Sequence, residues 1–184
     1  MNKIGKNLIY QSSYQVLKIL MPLITVPIVS HSLGSTGVGQ YAFANSIAQY
    51  FVLVTALGLP LYGTREIAKM GDSKQLLSKK FWALEGFSLI LTCVVLVCYF
   101  IVGFVFDLGI IYFIQAFLVV GAGLDVSWFF MGIEDFKKIT LVNFLLQITS
   151  FLLIVTQIQS SQDLIKYTII LTSISVLNPL TLWY

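Results

Sequence analysis

Two ionisable side chains stand where the sequence is otherwise apolar. Asp125 lies near the end of a run that begins about Ile110, and Lys18 lies inside a run that begins about Asn7. A charge at the centre of a membrane helix costs about 2.5–3.5 kcal/mol on insertion scales, so such residues mark substrate paths, ion paths or pairs. Two chemistries are open. Lys18 and Asp125 can form an ion pair, or Lys18 can serve as a ligand for an anionic substrate.

The neutral polar residues are arranged to match. At 100° per residue, Asn7, Gln11, Tyr14, Lys18 and Thr25 fall within about 60° of one another. Tyr41, Asn45 and Gln49 recur every four residues. Gly121, Asp125, Trp128 and Gly132 share one helical face, and Asn143, Gln147, Ser150 and Gln157 share another. A third apolar run carries Glu85, Ser88 and Thr92 only near one end. Hydrogen bonds between membrane helices average roughly 0.6 kcal/mol, so a single stripe can be interhelical glue. Four stripes, one with a lysine, point instead to a water-filled cavity. The expected substrate path comprises Gln11, Lys18, Asn45, Gln49, Asp125, Asn143 and Gln147, with Arg65 at its mouth.

Catalytic chemistry has little to work with. No HExxH, GxSxG or GxxxxGK[ST] occurs, His31 is the sole histidine, and Glu134–Asp135 falls in a solvated turn. No enzyme activity, cofactor or metal is expected. Cys93 and Cys98 point about 140° apart on a helix and cannot bridge within it.

The elements that must hold the polar residues follow from hydropathy. The chain has 184 residues, 58% apolar and 10% charged. Soluble domains carry roughly 25% charged residues, so an all-α integral membrane protein is expected. Spans of roughly 20 apolar residues are predicted at about 7–30, 40–59, 80–106, 110–131, 140–158 and 164–183, a six-helix bundle. Lys3 and Lys6 precede the first, but Lys18 interrupts it and no cleavage site follows, so it reads as an uncleaved span.

Lysine and arginine sort to one side, with Lys166 the one basic residue near the other. Lys3 and Lys6, then Arg65, Lys69, Lys74, Lys79 and Lys80, then Lys137 and Lys138 occupy alternate loops, whereas His31–Gly39, Phe106–Gly109 and Gln159–Asp163 contain none. The positive-inside rule gives a cytoplasmic N-terminus. Trp128 and Phe129 fit headgroup depth beside Lys137 and Lys138. Gly58–Lys80 is expected to hold a short amphipathic segment, either a solvated basic surface or a basic mouth for an acidic headgroup. His31–Gly39, with three glycines, reads as a tight mobile turn, and Pro22 and Pro27 as bends in the first helix. The net charge of +3 gives no reason to invoke nucleic acid.

Three segments resemble a known family. HSLGSTGVGQYAFANS (His31–Ser46) resembles an LG-x-x-x-x-G-x-Y segment, GLPLYGTREIAK (Gly58–Lys69) a YG-x-R-x-IA segment, and DVSWFFMGIEDFKKIT (Asp125–Thr140) a D-x-x-WFFQGIE-x-F segment. Together they resemble the N-terminal part of lipid-linked oligosaccharide flippases of the multidrug/oligosaccharidyl-lipid/polysaccharide exporter superfamily. Met131 departs from the usual glutamine. The resemblance implies one lobe of a MATE-like, two-lobed carrier around a cationic cavity. It implies membrane lipid as surroundings and an undecaprenyl-diphosphate-linked oligosaccharide as substrate, moved from the inner to the outer leaflet of a bacterial cytoplasmic membrane. It also implies that the C-terminal lobe is absent from this chain, through truncation, because a second chain supplies it, or because two copies assemble. A multidrug/cation antiporter of the same superfamily and a vestigial, non-transporting fragment are the alternatives.

Overall fold

The computed structural model describes residues 3–71 and 73–183; for residues 3–11, 14, 17 and 18 it describes the backbone alone. Among the described residues the chain is helical throughout: α1 (Lys3–Ala56), α2 (Leu59–Lys69), α3 (Lys74–Val105), α4 (Gly109–Ile114), α5 (Ala116–Gly123), α6 (Ser127–Gly132), α7 (Phe136–Gln157) and α8 (Leu164–Trp183), the last entered by a 3-10 turn, Ser161–Asp163.

Five runs are long and apolar enough to cross a membrane: Ile19–Lys69, Lys74–Val105, Gly109–Gly132, Phe136–Gln157 and Ser161–Trp183. The chain is therefore a multi-pass membrane protein. Its outer surface agrees, because Leu23, Leu53, Ile90, Val97 and Phe104 present their side chains outward without a protein partner to cover them.

The first run corrects the expected loop at His31–Gly39. That segment is helical, and the break is confined to Gly34, at φ 69°, ψ 172°. This backbone region is essentially restricted to glycine. The break reverses the chain against α7. Before it, Thr25 lines a pocket with Ser150, and Val29 and Leu33 pack with Ile154 and Ile158. Beyond it, Tyr41 joins that same cluster, while Gln49 lines a pocket with Asn143 and Ile139. The first half thus runs with α7 and the second half against it, as a helical hairpin bent at Gly34.

Other boundaries shift for local reasons. Gly58 at positive φ precedes α2, with Pro60 in its first turn, where proline's missing N–H costs nothing. Asp135 caps α7 by accepting the Lys138 N–H at 3.4 Å. Ser160 and Asp163 form a capping box ahead of α8. The third span begins at Lys74 rather than at Lys80. The fourth, expected as one helix over 110–131, is segmented into α4, α5 and α6.

One side of α3 carries Glu85, Ser88, Thr92, Val95, Tyr99 and Gly103, all buried at three- and four-residue spacing. Its anchor is a reciprocal tyrosine pair with α4. The Tyr99 hydroxyl donates to the Tyr112 carbonyl at 2.7 Å, and the Tyr112 hydroxyl donates to the Tyr99 carbonyl at 2.9 Å. The two rings stack with centroids 4.1 Å apart. Replacing Tyr99 with Phe removes one of these bonds and leaves the stack. The expected cost is about 1 kcal/mol, within the range for membrane hydrogen bonds, read from reversible unfolding in mixed detergent micelles.

The two family-like segments Gly58–Lys69 and Asp125–Thr140 are clasped together. A Cβ on Gly63 would stand 2.5 Å from the Trp128 ring, and one on Gly132 would stand 2.6 Å from Ile67 Cβ. The Thr64 hydroxyl lies 3.2 Å from the Trp128 carbonyl. Trp128 is 3% exposed and stacks on Phe81 of α3 at 5.7 Å between centroids. α2 is therefore docked against the bundle and does not hang free as a loop.

Candidate functional site

Polar side chains on four elements converge in a groove of about 460 Å³. The second half of α1 supplies Gln49, and the segment leaving α5 supplies Asp125 and Ser127. Asn143 comes from α7, while α8 contributes Ser175 and Asn178, one turn apart. Apolar residues complete the wall, among them Val52, Leu118, Ile139, Leu171 and Ile174.

The groove is built by hydrogen bonds that fix some of its polar atoms and leave others for a guest. Asn143 donates to the Ile139 carbonyl at 2.9 Å and accepts from the Asn178 side-chain amide. Ser175 donates to the Thr172 carbonyl at 2.6 Å, on its own helix. Asp125 is not inside a helix as expected. α5 ends at Gly123, and Asp125 Oδ1 accepts the Ser127 N–H at 2.9 Å, which starts α6. This turn holds the half-buried carboxylate at the groove edge.

Two further spaces flank the groove. One, of about 520 Å³, is lined by Asn45, Ser46, Gln49 and Tyr50 and shares Gln49 with the groove. The other, of about 180 Å³, is lined by Thr25, Gln147, Ser150 and Tyr167 and shares Leu171 with it. Asp125, Asn143 and Gln49 thus line the groove, while Asn45 and Gln147 line the spaces on either side of it. Arg65 does not join them: it is exposed on α2. There Glu66 pairs with Lys69 at 2.9 Å and with Lys80 of α3 at 3.0 Å. Gln11 and Lys18 lie outside the described side chains. The Lys18–Asp125 pair and the anion-ligand role of Lys18 both remain expectations.

The sequence reading missed Ser127, Ser175 and Asn178. Asn178 had a usable signal, an amide within an apolar run directly before Pro179, three residues after Ser175. Glu85 was noticed but not promoted. It is wholly enclosed, at 0% exposure.

Residues 4–184 match the family described as "Polysaccharide biosynthesis protein". The chain belongs to that family. Within the polysaccharide biosynthesis proteins it is similar to the "Putative O-antigen transporter" of Escherichia coli (strain K12), with 30% identity over 92 residues. The matched part is 50% of this chain and 22% of that transporter's length. No solved structure matches.

Proposed function

We propose that this chain is part of a carrier that flips undecaprenyl-diphosphate-linked oligosaccharide repeat units across a bacterial cytoplasmic membrane. The observation that carries the reading is the groove lined by Gln49, Asp125, Asn143 and Asn178, with Asn45 and Gln147 in the spaces beside it, set in an apolar bundle. Hydroxyl and amide groups there suit a glycan, whose many hydroxyls both donate and accept. Family membership and the similarity to an O-antigen transporter support the same substrate class.

The hairpin at Gly34 makes two crossings of the first run, giving six in all and, by the lysine distribution, a cytoplasmic N-terminus. Six helices form one lobe of a two-lobed carrier. A second lobe, from another chain or from sequence beyond this one, closes the groove. Lys18 precedes Pro22 and Thr25 by one and two turns on the same helix, and is the proposed contact for the diphosphate.

The test is export in a flippase-deficient bacterium. The chain alone is expected to leave surface polysaccharide absent, and supplying the second lobe of a full-length relative is expected to restore it. In the restored strain, Lys18→Ala and Asn178→Leu should each cut export roughly tenfold, the effect of losing about 1.4 kcal/mol of interaction, at unchanged protein level. Normal export in both variants would remove the groove from the path. Altered drug resistance with unaltered polysaccharide would favour an antiporter.

A further inference from the structure

Glu85 is the one acid among the described residues whose carboxyl oxygens are both enclosed and both without a hydrogen-bond partner. Its depth follows from the fold. It lies on α3, five residues beyond Lys80 and so about 7.5 Å further along the axis. α3 runs antiparallel to the α5–α6 segment. Phe81 stacks on Trp128, and the Ser88 hydroxyl donates to the Gly123 carbonyl at 3.1 Å. Glu85 sits between those two contacts, which places it opposite Asp125.

Among the described side chains, no neighbour offers compensation. The nearby α3 hydroxyls are committed, Ser88 to Gly123 and Thr92 to the Ser88 carbonyl at 2.7 Å. α1 has no lysine, arginine or acid between Ile19 and Ala56. α4 brings only Tyr112, whose hydroxyl is paired with Tyr99. α5 carries no charge, and α2 carries Arg65, exposed, with Glu66 and Lys69 paired to each other. Lys80, on α3 itself, is held by Glu66. An ionised carboxylate so placed would be a buried charge facing a like charge, costing several kcal/mol. The neutral acid avoids that cost.

We propose that Glu85 is a proton-binding site, and that it exchanges its proton with the groove through Asp125. Water in the groove delivers the proton to the half-buried Asp125 carboxylate, which passes it to Glu85, and release follows the reverse route. The two carboxyls hold one proton between them. The site does not depend on which substrate the groove carries.

The whole chain, reconstituted in lipid nanodiscs with glutamate labelled at the side-chain carboxyl with ¹³C, gives the test. Only Glu66, Glu85 and Glu134 carry the label. At neutral pH in potassium chloride, infrared spectroscopy should show a protonated, ¹³C-shifted carboxyl band. Its absence overturns the proposal without any variant being needed. The band should persist when sodium replaces potassium; its loss would assign the site to a metal cation instead. Glu85→Gln should abolish the band, and a surviving band would place the proton on another glutamate. Asp125→Asn should slow the deuterium shift of the band severalfold on transfer to heavy water, and an unchanged rate would overturn the route through Asp125.

Discussion

Gly34→Ala is expected to destabilise the folded chain by about 1–3 kcal/mol, whereas Gly39→Ala, five residues away, should stabilise it by roughly 0.5–1 kcal/mol. No atom lies within 4 Å of a Cβ built on either glycine, so crowding does not distinguish them. The backbone does. Gly34 has φ 69°, ψ 172°, which a side chain cannot adopt without strain, while Gly39 is helical, where alanine is the better residue. Gly34→Val should be worse than Gly34→Ala, because branching at Cβ narrows the allowed region further. Equilibrium unfolding in mixed micelles measures all three. If Gly34→Ala matched the wild type, the hairpin would not depend on that one residue.

The second large effect is expected at the clasp between α2 and α6. Trp128→Ala should cost about 3–5 kcal/mol, the range for emptying a buried large aromatic site. Gly63→Ala should cost about 1–3 kcal/mol by overpacking, since the added Cβ meets ring atoms at 2.5 and 2.8 Å and Phe81 stacks against that ring. The sharper test is the pair. In a Trp128→Leu background, the Gly63→Ala penalty should shrink by about 1 kcal/mol or more, because the atoms it strikes are gone. Additive penalties would mean that the two residues do not constrain each other. A protease-accessibility assay on α2 should follow the same order if docking of this helix depends on the ring.

How much of this was legible in the sequence differs from element to element. The apolar runs and the helices that carry Asn45, Gln49, Asn143 and Gln147 were legible, because lipid imposes length and sidedness on a local pattern, whereas Asp125 was expected in a helix and stands in a turn. The turn between the first two helices was overestimated. Three glycines suggested a loop across His31–Gly39, yet Gly37 and Gly39 continue the helix and Gly34 alone breaks it. The fourth span was misjudged for the opposite reason. Its first joint sits at a tertiary contact, and its second at a local turn of the kind aspartate favours. Gln115 reaches the Tyr41 carbonyl of α1 at 3.4 Å, and Asp125 turns back on Ser127. The tyrosine pair of α3 and α4 was out of reach, since each hydroxyl finds a carbonyl on another helix. Asn178 was passed over because its partner Asn143 lies 35 residues away and the pairing is visible only once α7 and α8 pack.

The hairpin bent at Gly34 also bears on how the chain enters its membrane. From Ile19 to Thr64 there is no lysine, arginine, aspartate or glutamate; Lys18 stands just before this stretch and Arg65 just after it. An inserting machine therefore meets a tip that carries no ion across the bilayer. The two arms need not be threaded one after the other. They can leave for lipid as a folded unit, with the single glycine at the bend as the place where the nascent chain doubles back.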